Sequence, residues 1–596
     1  MNKKVTLVVL NILLIGSLSL YLGGIVSLRP NGYHIDIYSQ LGYAVILGYM
    51  FTFISAMLLQ TLVDRSKKWL YLVIVLATYI GVITIPHLLG YYLSDRGDSL
   101  HSVGYIRAIL QTGQIDPLDI YPAHWILLAI TTILPGITLD KTLLLSMILN
   151  NFIFILSLLL FAKRYNSIVL IYFAMAFLLT YYHETIIAEF FAYTLNTLVF
   201  YFLISYNPYN GGYRKRSIIV LTILLITLIF SHPFVAFFNL GILMMLVLLP
   251  KLHPKRINVK TNIYNTILTV YIVALVIWVS WQRMLIQNLI SMPEFIRKMF
   301  IVKQVSYATS MSGVSHLDLV RYFIIHFWGQ ILLCLTAVAI VLMYFKAHRG
   351  KSKVLTGLFE HRLEILVMLW SIAFTVILIL QKHGYDRVFG LNFMIFGAVV
   401  VISAVNQKIQ LSKWHKALIL VLIIVMPFSV FSAFNSPVNG MPYTGITYEE
   451  LIGAKFSFSH LDYDQKIIDP IGEAKRWSIW LYGYSETFKK RKVLYLYKLP
   501  DHFGYRTVTC FSENRYIERI EHNILGYQEK YMYYYPRLLV VVPDYPIEMY
   551  EKAPLFKKVA RFRYNDEKRL RADYSVNVIY YGSNLRVYKP IPCDNS

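Results

Sequence analysis

The sequence predicts a polytopic α-helical membrane protein with a small α/β domain at its C-terminal end. Hydrophobic residues make up 57% of the 596 residues, and the mean hydropathy is +0.53, values typical of membrane proteins. Apolar runs of membrane-spanning length recur as far as Phe434 and then stop. Residues 435–596 are charged and rich in tyrosine, as in a water-soluble domain. We therefore divide the chain into a transmembrane domain, residues 1–434, and a C-terminal domain, residues 435–596.

About thirteen apolar segments have the length of a transmembrane helix. Their approximate bounds are 5–27, 41–63, 69–90, 142–162, 167–182, 186–206, 217–232, 233–250, 261–281, 318–345, 362–381, 387–405 and 416–434. Two lysines, Lys3 and Lys4, precede the first segment, which resembles the start of a signal peptide. Because no small-residue cleavage site is evident and more spans follow, we interpret this segment as an uncleaved first helix.

The predicted orientation depends on segment 123–138, which is apolar but short for a bilayer crossing and ends at Pro135-Gly136. If it does not cross, every basic loop cluster faces the cytoplasm. If it crosses, the clusters from Lys163 onward lie outside, against the positive-inside rule. The rule therefore predicts a multi-pass cell-membrane protein with a cytoplasmic N-terminus. It places 91–141 and the C-terminal domain outside the cell, with 123–138 as a re-entrant or surface helix.

The formal net charge of +24 does not predict a nucleic-acid partner, because most basic clusters lie in short loops between spans. Cys334 lies in a predicted span, whereas Cys510 and Cys593 lie in the C-terminal domain. Those two can pair only if the domain faces an oxidising space, and the sequence leaves their pairing open. Phosphate-loop, dinucleotide-binding and metal-binding cysteine patterns are absent from the sequence.

The strongest candidates for chemistry are Asp95, Asp98 and His101, which directly follow an apolar run ending near Gly90. Apolar residues at three-to-four spacing predict an amphipathic helix over Ser99–Gln111 behind them. A carboxylate at a membrane surface can accept a proton from an attacking hydroxyl or hold a divalent metal. We predict Asp98 and Asp95 as catalytic residues and His101 as a substrate-binding residue. The alternative is a solvated acidic loop.

Ionisable residues also lie at the predicted outer ends of other spans. His232-Pro233 interrupts an apolar stretch, and an ionisable group at that depth is costly unless it is paired or lines a cavity. We predict that His232, His183 and Glu184 bind substrate. The alternatives are a helix-capping turn at His232 and a structural Glu–Arg or Glu–Tyr pair for the acids, including Glu189 slightly further into the next span.

Two arginines are candidate ligands for an anionic lipid. Arg387 lies where a polar loop enters a predicted span, and its guanidinium offers bidentate donors to a phosphate. Arg297 lies in the basic, apolar-rich loop 281–317, which suits an anionic headgroup with an apolar tail. The alternatives are an interface anchor at Arg387 and a surface helix without a catalytic role over 281–317.

The C-terminal domain begins with a predicted helix over Tyr448–Phe456 and continues with alternating, strand-like segments. The predicted strands are Lys492–Tyr497, Leu538–Val542, Val576–Tyr580 and Leu585–Tyr588, the last two joined by a Gly-Ser-Asn turn.

The acidic stretch Asp-Arg-Gly-Asp-Ser-Leu-His at 95–101, an interfacial helix and the Tyr-Pro-Ala-His-Trp stretch at 121–125 resemble the GT-C superfamily of membrane glycosyltransferases. The likeness is greatest to the archaeal branch related to protein mannosyltransferases and aminoarabinose transferases. The Ser-His-Pro break and the segment 582–589 are also similar to archaeal members.

The resemblance implies a GT-C-like membrane domain that transfers a sugar from a polyprenyl-phosphate carrier to a protein, lipid or glycan acceptor at the outer face. Asp98 matches the family's loop carboxylate best and Asp95 next, and Arg387 would bind the carrier phosphate. The Trp-Trp-Asp-Tyr-Gly motif of oligosaccharyltransferases is absent. The spacing Asp-x-x-Asp also departs from the family pattern, which leaves the base and a divalent metal cofactor open.

Two other classes of function are compatible with the sequence. A transporter or flippase of lipid-linked sugars would carry acids buried mid-span, inverted repeats and discontinuous helices. A non-catalytic surface-assembly or receptor protein would bind its partner through the C-terminal domain. The clustering of acids at span ends favours the glycosyltransferase.

Overall fold

A computed structural model of the chain provides the structure. It describes residues 3–63, 68–116, 119–164, 185–205, 214–252, 261–282, 286, 315–318, 320–321, 324–325, 369–370, 373, 412–461, 466–469, 473–483, 516–522, 528–534, 538–553, 564–574 and 576–591.

Nine helices of the described chain coincide with predicted spans. They are α1 (Lys3–Ser27), α2 (Tyr43–Leu62), α3 (Lys68–Leu88), α6 (Leu139–Arg164), α7 (Ala188–Ser205), α8 (Arg214–Ser231), α9 (Pro233–Leu252), α10 (Thr261–Trp281) and α11 (Ser412–Ser432). By length and apolar composition, five of these can cross a membrane, namely α1, α2, α3, α6 and α10. A helical membrane protein is therefore supported. The predicted number of thirteen spans stays a prediction, because 167–182, 318–345, 362–381 and 387–405 lie wholly or mostly outside the described residues.

Polar side chains join neighbouring helices inside the bundle. The Tyr79 hydroxyl of α3 donates to Asn151 Oδ1 of α6 at 3.0 Å, and Asn239 Nδ2 of α9 donates to Asn196 Oδ1 of α7 at 2.7 Å. Such bonds satisfy polar groups that would otherwise face apolar surroundings, and they fix which helix faces pack together.

The predicted amphipathic helix is confirmed as α4, Asp98–Thr112, which ends at Gly113 in the left-handed region (φ 69°). The next helix, α5 (Pro122–Ile133), has proline in its first turn and 12 residues. At 1.5 Å per residue it is about 18 Å long, well short of the roughly 30 Å hydrocarbon core. A short helix is therefore present where the sequence predicts that the chain does not cross.

The C-terminal domain contains a four-stranded mixed sheet. From Tyr448 onward, the elements of this domain in the described chain are α12 (Tyr448–Ser459), β3 (Lys466–Ile468), α13 (Ala474–Tyr482), β4 (Tyr516–His522), β5 (Gln528–Tyr534), β6 (Leu538–Pro543), α14 (Asp544–Lys552), α15 (Tyr564–Arg571), β7 (Val576–Tyr581) and β8 (Leu585–Pro590). The strand order is β3-β6-β8-β7, with β3 parallel to β6 and the other pairs antiparallel. The predicted first helix and last three strands are confirmed, whereas Lys492–Tyr497 lies outside the described residues.

The segment after α3 pairs directly with the C-terminal domain. Strand β1 (Tyr91–Leu93) runs antiparallel to β2 (Ile446–Thr447). Asn584, in the β7–β8 turn, accepts a hydrogen bond from the backbone N–H of Tyr33, which follows α1. One apolar cluster includes side chains of α4, α5, α12, α13 and β6. The core under the acidic segment is therefore built from both predicted domains.

Candidate functional site

The central arginine of the acidic stretch points into the protein and joins it to the C-terminal domain. Arg96 is 2% exposed, and its Nη1 donates to Glu450 Oε1 at 2.6 Å and to Glu473 Oε2 at 2.7 Å. Its Nη2 donates to Glu450 Oε2 and to the Gly445 carbonyl, both at 2.8 Å. The guanidinium also lies 4.1 Å from the ring centroid of Tyr545. Arg96 therefore has a structural role.

A proton balances the charges around this arginine. Burial raises the pKa of Glu473 to about 8 against the lowering effect of Arg96, and the Glu450 carboxylate adds to the rise. Near neutral pH, Glu473 is therefore mostly protonated. Burial also raises the pKa of Glu450, against the lowering effect of Arg96, with which Glu450 forms a bidentate contact. The backbone N–H groups of Glu473 and Ala474 donate to Asp469, which caps the start of α13. The first turn of α13 is thereby fixed beside the acidic stretch.

The two aspartates that flank Arg96 have different surroundings. Asp98 is the first residue of α4 and is exposed. Asp95 is partly buried, and its Oδ2 accepts a hydrogen bond from the Ser99 N–H at 3.2 Å. Burial, followed by the Asp98 carboxylate, raises the pKa of Asp95. Asp98 is therefore the accessible carboxylate, and Asp95 supports the first turn of α4.

His101 lies one turn after Asp98 on α4 and is partly buried. Burial, followed by the Arg476 charge and with a smaller effect of Lys475, lowers the pKa of His101 to about 4 against the opposing effect of Asp98. The imidazole is therefore neutral at pH 7 and has one donor nitrogen and one acceptor nitrogen. The structure thus brings three predicted residues, Asp95, Asp98 and His101, into one group.

Two cations of the C-terminal domain complete this group, and sequence reasoning missed both. Lys475 and Arg476 lie in the first turn of α13, and Arg476 Nη1 donates to the Arg96 carbonyl at 3.3 Å. Helix α13 packs closely on α4, where a Cβ on Gly104 would overlap the Ile479 carbonyl oxygen. The sequence has no local signal for this contact, because some 380 residues separate Arg96 from Arg476. We name Asp95, Asp98, His101, Lys475 and Arg476 the mixed-charge group.

His232 belongs to a second group of polar residues, which also contains Glu189, Tyr121 and Asp119. It lies between α8 and α9, with its Nε2 3.4 Å from Glu189 Oε1 in the first turn of α7. The His232 ring stacks on Tyr121, with centroids 4.9 Å apart and planes 2° from parallel. Its backbone N–H donates to the Leu228 carbonyl and its own carbonyl accepts from Ala236. His232 therefore connects two consecutive helices, as in the capping alternative, and also contacts the segment before α5.

Asp119 is a buried acid of the second group that the sequence analysis did not single out. Its Oδ1 accepts from the Tyr121 N–H at 2.8 Å and from Trp125 Nε1 at 3.2 Å. In the described chain its Oδ2 is buried without a hydrogen-bond partner. Burial raises the pKa of Asp119 to about 7. The available sequence signal was an aspartate two residues before Tyr121, because an aspartate side chain often accepts from the backbone N–H two residues further on in a turn.

Aromatic and polar contacts place both groups at the same end of the helix bundle. Trp125 stacks on Tyr105 of α4, with ring centroids 6.3 Å apart. His124 stacks on Phe191 of α7 at 4.8 Å, and Gln282, directly after α10, donates to the Asp119 carbonyl at 3.2 Å. The starts of α5 and α7 and the end of α10 therefore meet beside the acidic segment.

Four predicted site residues, His183, Glu184, Arg297 and Arg387, lie outside the described residues. Among the residues that the structure does describe, none of the His, Cys, Asp and Glu side chains form a cluster of three or more that could hold a metal ion. Asp95, Asp98 and His101 therefore do not add support for a divalent metal cofactor, which the sequence leaves open.

No protein-family model matches the chain, and no curated protein matches it.

Proposed function

We propose that the protein is an integral-membrane glycosyltransferase that moves a sugar from a polyprenyl-phosphate carrier to a hydroxyl-bearing acceptor at the outer membrane face. The observation that carries this proposal is the mixed-charge group, in which exposed Asp98 lies beside a neutral histidine and two cations. A hydroxyl acceptor needs a base, and an anionic leaving group needs positive charge. The mixed-charge group contains side chains for both tasks.

The proposed reaction is a single inverting displacement. The acceptor oxygen forms a bond to the anomeric carbon while the bond from that carbon to the carrier phosphate breaks. The bonding electron pair leaves with the phosphate, and Asp98 accepts the hydroxyl proton. Asp95, which accepts from the Ser99 N–H, holds the first turn of α4, and neutral His101 can hydrogen-bond the acceptor or the sugar. A divalent metal, if the reaction uses one, would assist the departing phosphate.

The pairing of β1 with β2 supports the proposed topology. Residues that share a sheet lie on the same side of a membrane, so Tyr91–Leu93 and Ile446–Thr447 share a compartment. The short length of α5 agrees with a segment that does not cross. Together with the positive-inside rule, these observations support an outer location for the site and for the C-terminal domain.

The test is Asp98→Asn in membranes given a labelled polyprenyl-phosphate sugar. Loss of a general base costs about 10²–10⁴-fold in rate, so we expect transfer to fall at least about 100-fold. The matched control is Asp566→Asn, which removes a carboxylate from the first turn of α15, far along the chain. Transfer by Asp98→Asn at the control's rate, with equal expression, would exclude Asp98 as the base.

The second candidate function is a transporter or flippase of lipid-linked sugars. The buried Glu189–His232 pair favours it, because ionisable pairs at interrupted helices mark substrate pathways in transporters. Proteoliposomes that contain the purified chain and labelled lipid-linked sugar separate the two functions. Movement of the lipid across the bilayer without any transfer product, unaffected by Asp98→Asn, would establish the second function instead of the first.

A further inference from the structure

The mixed-charge group contains an arginine with unused hydrogen-bonding capacity. The guanidinium of Arg476 has five N–H donors, and the one hydrogen bond that it makes in the described chain is to the Arg96 carbonyl, at 3.3 Å. No ion pair within 4.0 Å joins it to Asp95 or Asp98, although its Nη1 lies 3.7 Å from the position of a Cβ on Gly97. Arg476 is also partly exposed, so a ligand can reach its remaining donors.

The position of Arg476 is fixed by the surrounding structure. Asp469 accepts hydrogen bonds at the start of α13. Arg96 Nη1 donates to Oε2 of Glu473, the residue directly before α13, at 2.7 Å. Further along α13, the close approach of Ile479 to Gly104 sets the distance between α13 and α4. Because the backbone that carries Arg476 is fixed in this way, less of the chain has to be ordered when a ligand binds than on a mobile surface segment.

The charges of the mixed-charge group favour an anionic ligand next to α13 of the C-terminal domain. Lys475 adds a second cation next to Arg476, and burial, followed by the Arg476 charge, lowers the pKa of this lysine. An anion placed between the two side chains would relieve their mutual repulsion. The two aspartates lie on the α4 side of the group, so its opposite charges are separated between α4 and α13.

We infer that Arg476, assisted by Lys475, binds the phosphate of the lipid-linked donor, so that the C-terminal domain supplies the anion-binding half of the site. This inference rests on the proposed function and adds to it the ligand that Arg476 and Lys475 bind. Arginine suits the task because its planar donors can contact two phosphate oxygens at once. When the bond to the sugar breaks, the electron pair moves onto the phosphate oxygen nearest to these cations, while the hydroxyl proton moves to Asp98.

The test measures binding rather than transfer, in full-length protein reconstituted in lipid nanodiscs. The probe is a fluorescent short-chain polyprenyl phosphate, with the corresponding polyprenol and inorganic phosphate as comparison ligands. We expect Arg476→Gln to raise the Kd for the phosphate lipid about tenfold and Arg476→Lys to recover part of this loss. Polyprenol binding should not change in either variant.

The matched control is Arg107→Gln. Arg107 lies at the same α4–α13 contact, but its guanidinium stacks over the Trp480 ring at 4.7 Å. We expect the Kd of Arg107→Gln for the phosphate lipid to stay within about twofold of the wild-type value, because the inference assigns no ligand to Arg107. If Arg476→Gln does not fold, Lys475→Gln replaces it, with an expected increase in Kd of about threefold.

Two outcomes would overturn the inference. One is unchanged binding of the phosphate lipid by the folded Gln variants. The other is inorganic phosphate binding as tightly as the phosphate lipid, which would make free phosphate the ligand. Either outcome would leave the Asp98→Asn transfer test unaffected, so failure of this inference is distinguishable from failure of the proposed function.

Discussion

Arg96 and Asp98 lie two residues apart in the acidic stretch, yet they have opposite surroundings. Arg96 is 2% exposed, and its terminal nitrogens contact two carboxyl groups and a carbonyl. Asp98 is exposed at the start of α4, beside cations with which it forms no ion pair within 4.0 Å in the described chain. The comparison teaches that an ionisable residue near a membrane is not by itself a catalytic candidate. Buried and paired groups hold the structure together, whereas accessible and unpaired groups remain for chemistry.

Asp119 is an intermediate case that tests this rule. It is as buried as Arg96, at 1% exposed, but its Oδ2 lacks a hydrogen-bond partner among the described residues. The burial cost is met by protonation, because the pKa of Asp119 is raised to about 7. Buried ionisable groups can therefore be paired with an opposite charge or neutralised by a proton, and the two solutions respond differently to pH.

The largest expected effect is the loss of Arg96. Arg96→Met leaves the buried Glu450 carboxylate without its partner, which typically costs about 3–5 kcal/mol. We expect a clearly lower Tm in detergent and faster proteolysis of the C-terminal domain. Arg107→Met is the control, and Arg96→Met/Glu450→Gln should recover part of the loss. A Tm decrease no greater than that of Arg107→Met would contradict the structural role of Arg96.

The second effect is a pH dependence due to Asp119. Its folded pKa of about 7 lies above the unfolded value of about 3.9, so the native state binds more protons between these values. Stability from this group is therefore complete below pH 4 and is lost as the pH rises towards 7. Between pH 5 and pH 7 the loss is about 2 kcal/mol by this linkage.

Asp119→Asn removes this titration, since asparagine keeps the oxygen that accepts from Tyr121 and Trp125. The measurement is Tm against pH for wild-type and variant in the same detergent. We expect the variant to gain stability relative to wild-type on going from pH 5 to pH 7. Parallel pH profiles for the two proteins would show that Asp119 is ionised in the native state, as an exposed aspartate would be.

The smallest effect is at the contact between α4 and α13. In Gly104→Ala the added methyl overlaps the Ile479 carbonyl oxygen, and the helices must separate at a cost of about 1–2 kcal/mol. Gly16→Ala in α1 is the control, because nothing lies within 4 Å of its added methyl. A Tm for Gly104→Ala equal to or above that of the control would mean that α13 is not held closely on α4. Arg476, which lies on α13, would then not be held in a fixed position beside Asp95 and Asp98.

Local patterns were sufficient for most of the described elements. Hydropathy located α1, α2, α3 and α6 to within a few residues, because a long run of apolar side chains forms a helix of membrane-spanning length almost regardless of its neighbours. Three-to-four spacing located α4, and alternation located β6, β7 and β8. The acids and histidine of 95–101 were found together because they are near neighbours at the start of a single helix.

Residues distant in sequence could not be assigned in this way. The sequence predicted both His232 and Asp98 as site residues but did not indicate which side chains surround His232, and its contacts include Glu189, Tyr121 and Phe234. It offered arginine or tyrosine as a partner for Glu189, and the structure gives histidine as one. The sequence also did not indicate Lys475 and Arg476 as site residues, because nothing near them in sequence indicates that α13 packs on α4.

The sequence by itself determined where the chain is apolar, where helices and strands form, and which short stretch collects acids at the end of a span. Only the tertiary structure decided what each charge does, as for Arg96, which pairs with Glu450 across 354 positions. The physical reason is that the free energy of a charge depends on its burial and on its partners. Both are set by contacts between segments that are hundreds of residues apart.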